Sequence, residues 1–476
     1  MEQTISINKA LDFFKLTIND LQKAISVAMS RKATYADIYI EYTTTNAIIY
    51  KEDKIDYAYE DIDSGAGIRV VSDEHSGYAY TEIITPKDLI KAAKFANKIS
   101  DGNIDFAPVN INFLEIKNNR YPILKSWDDY TTNDKSRYLD LLNSKIKNKD
   151  SNISNIKINF SNETKKILFI NSEGDIYADI RPTANLSVSC IIVDGEKTGN
   201  ANISKSFLKG YEFFDEEMIE KMAKELVDRA RLNIISTKPQ GGKMPVVMGC
   251  GESGILLHEA IGHTFEADFI RKKTSVFCNQ LGNKICNSEI TIVDDGTIPF
   301  NRGSINFDDE GVEGEKTHLI TDGVLTGFLH DRISARHFGV KPTGNGRRSS
   351  FRKEPIPRMR STYMENGNHS LEEMIAEVKK GVFVESYSNG EVEIGAGNFT
   401  FYVKQGYMIE NGKLTTPIKD INVIGNGPEA LANISMVGND LEISNATWMC
   451  GKNGQNCPVS CGMPSVLVNN LTVGGE

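Results

Sequence analysis

A chain of 476 residues is too long for one ordinary domain and calls for two or three. Its 40% hydrophobic and 25% charged residues are enough for a globular fold with ample core. Acidic residues outnumber basic ones 64 to 54 and no Lys/Arg block stands out, which argues against nucleic acid or anionic membrane as the main partner.

The start, MEQTISINKALDFFKLTINDLQ, lacks the apolar segment of a signal peptide, and no apolar run is long enough to span a bilayer. A cytoplasmic chain is therefore expected. Seven cysteines, an odd number spread from 190 to 461, do not make a disulfide framework.

Taken in order, a helix is expected over 17–31, with Asn19 or Asp20 as its cap and Leu21, Ala24, Ile25 and Ala28 on its apolar face. Strand-like stretches ADIYIEYTTT, NAIIYKEDKIDYAY, GAGIRVVS and SGYAYTEII follow, then a helix over 86–99 opened by Pro86. The same order returns after 130: a helix over 133–147, strands at 155–160, 166–171, 174–179 and 184–194, and a helix over 215–233. This is the pattern of two related α/β units, 1–118 and 119–237. STKPQGGK at 236–243 reads as a linker. Beyond it, residues 238–476 read as a β-rich catalytic domain, with helices only around the HE motif and at 370–380. Two hairpins are expected there, at ITDGVLTGFL and YMIENGKLTTPI. The fold class is thus α+β.

The sharpest chemical signal is LLHEAIGHTFEADF, residues 256–269. It carries His258, Glu259 and His263 as H-E-x-x-x-H. Zinc favours imidazole nitrogen, and a carboxylate beside the first ligand is placed to take a proton from water. The familiar metallopeptidase motif spaces its histidines four apart. Five apart, on a regular α-helix, the two imidazoles diverge by roughly 140°. Convergence therefore requires a kink or a π-type turn between Ala260 and His263, and Gly262 is a residue that permits one. Without such a distortion, two histidines on one amphipathic helix are only surface or core residues.

Long stretches of the second half resemble a known family: PVVMGCGESGILLHEAIGHTFEADFIRKKTSVF, VDDGTIPFNRGSINFDDEGVEGEKTHLI, PTGNGRRSS, ISMVGNDLEI and the closing MCGKNGQNCPVSCGMPSVLVNNLTVGGE. The sequence looks like the TldD branch of the TldD/PmbA family; the first half agrees mainly through GAGIRVV. The resemblance implies a zinc metallopeptidase that degrades unfolded peptides inside a closed dimeric chamber. It implies Zn2+ held by His258, His263 and Cys450, with Glu259 as base. It also implies a second subunit, either a copy of the chain or a chain of the PmbA (TldE) type, which lacks the metal motif. From spacing alone Cys450, Cys457 and Cys461 compete for the third ligand position, although Gly451 would ease a turn beside Cys450.

Other features carry two readings. Arg347 and Arg348 are either guanidinium groups for a peptide carboxylate or oxyanion, or a surface salt-bridge pair. Asp308-Asp309-Glu310 lacks the spaced ligands of a calcium loop and reads as a solvated loop. His318, His330 and His337 read as structural. Two rival functions remain: a zinc amidase on a non-peptide substrate, and a binding or modulator protein whose metal is structural.

Overall fold

The computed structural model describes residues 5–474 except 103, 105, 108, 394 and 395. The expected helices of the first half form where a hydroxyl or carboxylate residue closes the first turn. Ile18–Ala28 is capped by Thr17, with Asp20 completing a capping box, so the cap lies one turn before the expected Asn19 or Asp20. Pro86–Ala96, Thr132–Lys147 and Glu216–Ile235 appear as expected, capped by Thr85, Thr131 and Asp215. Ile7–Phe14 is an additional helix, capped by Ser6.

The strands of the first half are longer than their sequence suggests. They are β1 (Tyr35–Lys51), β2 (Lys54–Ser72), β3 (His75–Thr81), β4 (Ile153–Asn171), β5 (Asp175–Asp194) and β6 (Lys197–Phe207). The expected strands 155–160 and 166–171 are one, because the polar residues between them keep pairing with β1, Ser161 with Ala47 through Lys165 with Thr43. Likewise 174–179 and 184–194 fall within β5. One sheet results, antiparallel in the order β3-β2-β1-β4-β5-β6, with the two-residue strand Asn112–Phe113 pairing parallel with β5.

The α/β pattern seen twice in the sequence thus shares a single sheet. One half of it packs Ile38, Ile40, Ile68 and Leu168 under the helices Ile18–Ala28 and Pro86–Ala96. The other half packs Ile48, Ile158, Phe160 and Leu186 under Thr132–Lys147 and Glu216–Ile235. On the opposite face, Tyr39, Ile167, Phe169 and Tyr177 meet Phe307 and Phe351 of the C-terminal half, as the two-residue period of a strand requires.

The C-terminal half supplies β7 (Gly242–Met248), β8 (Ile292–Asp295), β9 (Lys316–Thr321), β10 (Val324–Leu325), β11 (Ser361–Met364), β12 (Lys380–Glu393) and β13 (Asn398–Glu410). Then come β14 (Lys413–Ile418), β15 (Ile421–Asn426), β16 (Glu442–Ser444), β17 (Met449–Lys452), β18 (Gln455–Pro458), β19 (Ser460–Met463) and β20 (Val466–Gly474). Both expected hairpins form, as β9–β10 and β13–β14. The strands β12-β7-β20-β15-β13 pair in that order, and β12 also pairs β13, so this sheet closes on itself. A second sheet runs β10-β9-β8-β11-β19-β16. Leu256, Leu257, Ile261 and Phe265 are buried in the core that joins the two sheets, which fixes the HE segment between them. The helix expected at 370–380 is Leu371–Glu377; Ala267–Arg271, Arg332–Phe338 and Gly427–Ala432 are short helices that the sequence reading missed.

Candidate metal centre

After β7 the chain makes a 3-10 turn at Gly251–Gly254, a π-helix at Leu257–Ile261 and a second 3-10 turn at Gly262–Phe265. The π-helix holds an extra residue per turn, and that brings histidines five apart onto one side. The His258 and His263 rings lie 5.1 Å apart at 78°. The departure from regular geometry falls at Ile261, with φ -129. Gly262 is itself ordinarily helical, with φ -58 and ψ -45, so its conformational freedom is not what the site uses. Space is: a Cβ at Gly262 would lie 2.1 Å from Met359 Sδ and 3.0 Å from the Leu257 carbonyl oxygen.

Cys450 arrives on the β17–β18 hairpin, directly opposite Cys457. The turn is made by Asn453 and Gly454, both with positive φ, 51° and 67°. Gly451, expected to ease a turn, lies within the strand instead. Cys450 Sγ is 3.3 Å from His263 Nε2, and the donor atoms of His258, His263 and Cys450 all fall within 4.8 Å of one another. All three residues are buried. Burial opposes ionisation of the Cys450 thiol, but the His258 and His263 imidazoles outweigh it and draw the group down to about 4. A thiolate is the form that binds metal.

By hydrogen-bond geometry neither ring nitrogen of His258 has a partner among the described residues, although the ring lies close enough to the Cys450 sulfur to favour the thiolate. Leaving a buried polar atom unpaired costs on the order of 1–3 kcal/mol, a penalty that a cation held between the three donors would remove. Two imidazoles and one thiolate are a donor set that suits zinc, with a coordination position left open.

Around the donors the residues are ordered by charge. Glu259 Oε2 lies 3.9 Å from His263 Nε2, and its side chain remains 22% exposed, so it reaches both the donors and solvent. Glu266, fully buried, accepts a hydrogen bond from His263 Nδ1 at 2.9 Å and faces Lys452 Nζ at 3.1 Å. Burial works against its charge, yet Lys452 and His263 hold its carboxyl at about 2. Such a carboxylate fixes the imidazole's orientation. Lys452 belongs to the same hairpin as Cys450, and Arg358 donates to the Cys450 carbonyl. Sequence reasoning had not singled out Glu266 or Lys452; the only local signal was a carboxylate three residues after the second histidine.

Other candidates are placed elsewhere. Cys457 Sγ accepts from Arg358 Nη1 at 3.6 Å, and Cys461 is buried on β19. Asp308-Asp309-Glu310 is not a solvated loop: all three are buried, because distant cations meet them there. Glu310 pairs with Arg69 at 2.6 Å, Asp309 with Arg181 at 2.7 Å, and Asp308 accepts the amides of Glu310, Val312 and Gly346. Nor do Arg347 and Arg348 form a surface pair. Arg347 donates to the Met359 and Pro458 carbonyls, and Arg348 reaches Asp37 and the Asp309 carbonyl, all buried. His318 is exposed, His330 packs on Phe338 and His337 bonds Glu74, away from the donor cluster.

Three family models cover most of the chain: PmbA/TldA metallopeptidase domain 1 at residues 36–100, the central domain at 125–234 and the C-terminal domain at 241–475. The metalloprotease TldD homolog of Buchnera aphidicola subsp. Acyrthosiphon pisum is 36% identical over 97% of both chains. The chain belongs to the PmbA/TldD metallopeptidase family. A zinc metalloprotease TldD homolog of Saccharolobus solfataricus is 30% identical over 95% of this chain and 99% of its own. TldE of Thermococcus kodakarensis shares the fold, with a TM-score of 0.73 and 20% identity over 96% of this chain and 100% of its own. The protein is a peptidase, a hydrolase of peptide bonds. No helix among the described residues is long and apolar enough to cross a membrane.

Proposed function

We propose that His258, His263 and Cys450 hold one zinc ion and that Glu259 is the general base for hydrolysis of unfolded or short peptides. The observation that carries this is the convergence of three buried donors within 4.8 Å, with a carboxylate beside them. Zinc bound there supplies Lewis acidity, polarising a substrate carbonyl and making water acidic near neutral pH. Glu259 takes the proton of the attacking water and returns it to the leaving amine. Glu266 holds the His263 ring in position throughout.

An extended peptide that pairs by its backbone with a strand edge beside the donors would be cut with broad sequence tolerance. Exposed Tyr57, Tyr59 and Tyr80 share one face of β2 and β3 and give it an apolar surface suited to a second subunit, a copy or a TldE-like chain. Such a dimer would bury more than roughly 2,000 Å² in total. A monomer that is fully active in sedimentation-coupled assays refutes the chamber. The seven free cysteines suit a reducing compartment, the cytoplasm.

The deciding experiment combines metal analysis with digestion of an unfolded peptide, with and without chelator. Glu259→Gln is expected to keep its zinc and lose hydrolysis by a factor on the order of 100 or more. Wild-type turnover in that variant sinks the mechanism. A metal-loaded wild type that cuts no unfolded peptide points to an amide other than a peptide.

A further inference from the structure

Behind the metal hairpin lies a cavity of about 270 Å³ that the proposed chemistry leaves unused. Strand alternation puts Cys450 and Cys457 on one face of β17–β18 and Met449, Asn456 and Pro458 on the other, and these last three form part of the cavity wall. Six cations line the cavity: Lys165, Arg181, Arg302, Arg347, Arg348 and Arg360. Only two carboxylates, Glu163 and Asp309, accompany them.

Three of the cations have charge partners. Arg181 meets Asp309 at 2.7 Å, Arg348 lies 3.3 Å from Asp37, and Lys165 lies 3.4 Å from Glu41. The other three have only neutral ones among the described residues. Arg302 donates to the Trp448 carbonyl, Asn185 Oδ1, Ser206 Oγ and Met449 Sδ. Arg347 donates to the Met359 and Pro458 carbonyls, and Arg360 Nε to the Gly344 carbonyl at 2.6 Å. All three are buried, at 5%, 7% and 3% exposure. Burial first, then the charge of Arg347, pulls Arg302 and Arg360 down to about 10. The charge of Glu163 reaches Arg302 and those of Asp308 and Asp309 reach Arg360, but among the described residues none of these carboxylates forms an ion pair with them. Buried cations without a direct ion pair are costly, and six cations against two carboxylates around one cavity leave a place for an anion.

We propose that this cavity binds a phosphate-class oxyanion, free or carried by a larger molecule, between Arg302, Arg347 and Arg360. Guanidinium forks match phosphate oxygens in shape and charge. A phosphate carries nearly two negative charges at neutral pH, which offsets three unpaired cations better than the single charge of a peptide carboxylate does. Because Arg302 and Arg347 also hold Trp448, Met449 and Pro458, the anion steadies the hairpin that presents Cys450 from its far side.

The test is titration of the zinc-loaded protein with inorganic phosphate, followed by calorimetry and thermal melting, against chloride at matched ionic strength. Saturable binding is expected, with a melting temperature that climbs with the logarithm of phosphate concentration. Asn185→Asp keeps the bond to Arg302 and adds the missing charge to the wall. That variant is expected to melt higher than wild type without phosphate and to bind phosphate at least tenfold more weakly. Arg360→Gln, also expected to bind at least tenfold more weakly, serves where Asn185→Asp does not fold. A response no different from chloride's overturns the proposal, as does unchanged phosphate affinity in the folded variants. So does displacement of phosphate, in the Glu259→Gln protein, by a peptide with a free C-terminus but not by its C-terminal amide. The readout is binding, so its failure leaves the peptidase reading untouched, and loss of peptidase activity does not decide it.

Discussion

A sulfur becomes a metal ligand when it faces the other donors, and among the three late cysteines that condition separates Cys450 from Cys457 and Cys461. Cys450 Sγ sits against His263, Cys457 faces the Arg358 guanidinium, and burial pushes the Cys461 thiol well above its usual range. Cys450→Ala is therefore expected to lose most zinc and activity. Cys457→Ala and Cys461→Ala should leave both largely intact, as measured by zinc per protomer and peptide turnover. Metal loss in either of the latter with retention in Cys450→Ala would misplace the third ligand. The histidines and Glu259 were legible because their signal is local. Spacing could not choose among the cysteines; the family resemblance did. Glu266 was passed over because its meaning depends on Lys452, far along the chain. The acidic run at Asp308 was misread for the same reason: Arg69 and Arg181, the cations that bury it, lie on strands of the other half.

For single elements, apolar periodicity and the Pro86 start signal located the longer helices of the first half to within a few residues, while the hydroxyl caps Thr17, Thr85 and Thr131 were not read from the sequence. Strand length was less legible. A polar stretch such as Ser161–Lys165 carries turn-like residues, and pairing on both sides, with Thr43–Ala47 and Arg181–Asn185, keeps it extended. A distortion, either a kink or a π-type turn, was foreseen from the histidine spacing, while the reason for Gly262 was not, because Met359 is invisible to local reading. Gly262→Ala forces a methyl into Met359 Sδ. The expected result is a loss of about 1–3 kcal/mol in urea unfolding, together with weaker zinc retention against a chelator. Unchanged values on both measurements would show that the helix yields freely and that close packing does not hold its shape.

Across the whole molecule, the two halves meet through buried charge. Arg69, with no exposed surface, pairs with Asp37 of its own sheet and Glu310 of the catalytic half. Arg69→Met removes the ion pair of Glu310 and leaves Asp37 only the longer contact with Arg348 at 3.3 Å, and a loss of about 3–5 kcal/mol at neutral pH is expected from denaturant unfolding. Burial already holds the Glu310 carboxyl above its ordinary value. A folded state that gains a proton before the unfolded one recovers stability as pH falls, so the deficit should narrow toward acid pH. A deficit that widens there would mean that the carboxylates have found other cations.

The closed sheet β12-β7-β20-β15-β13 has a bearing on the order of synthesis. Its β7 edge waits for β20, which follows every other strand in the chain. A growing chain therefore exposes the unpaired backbone of β7 and β15 while all the residues proposed to hold zinc are already made. Such edges invite pairing with other chains, and incompletely closed intermediates are prone to aggregate. The interval before β20 emerges is thus when aggregation is expected to be greatest, and a nascent chain halted before Val466 would possess every proposed ligand and no barrel to hold them.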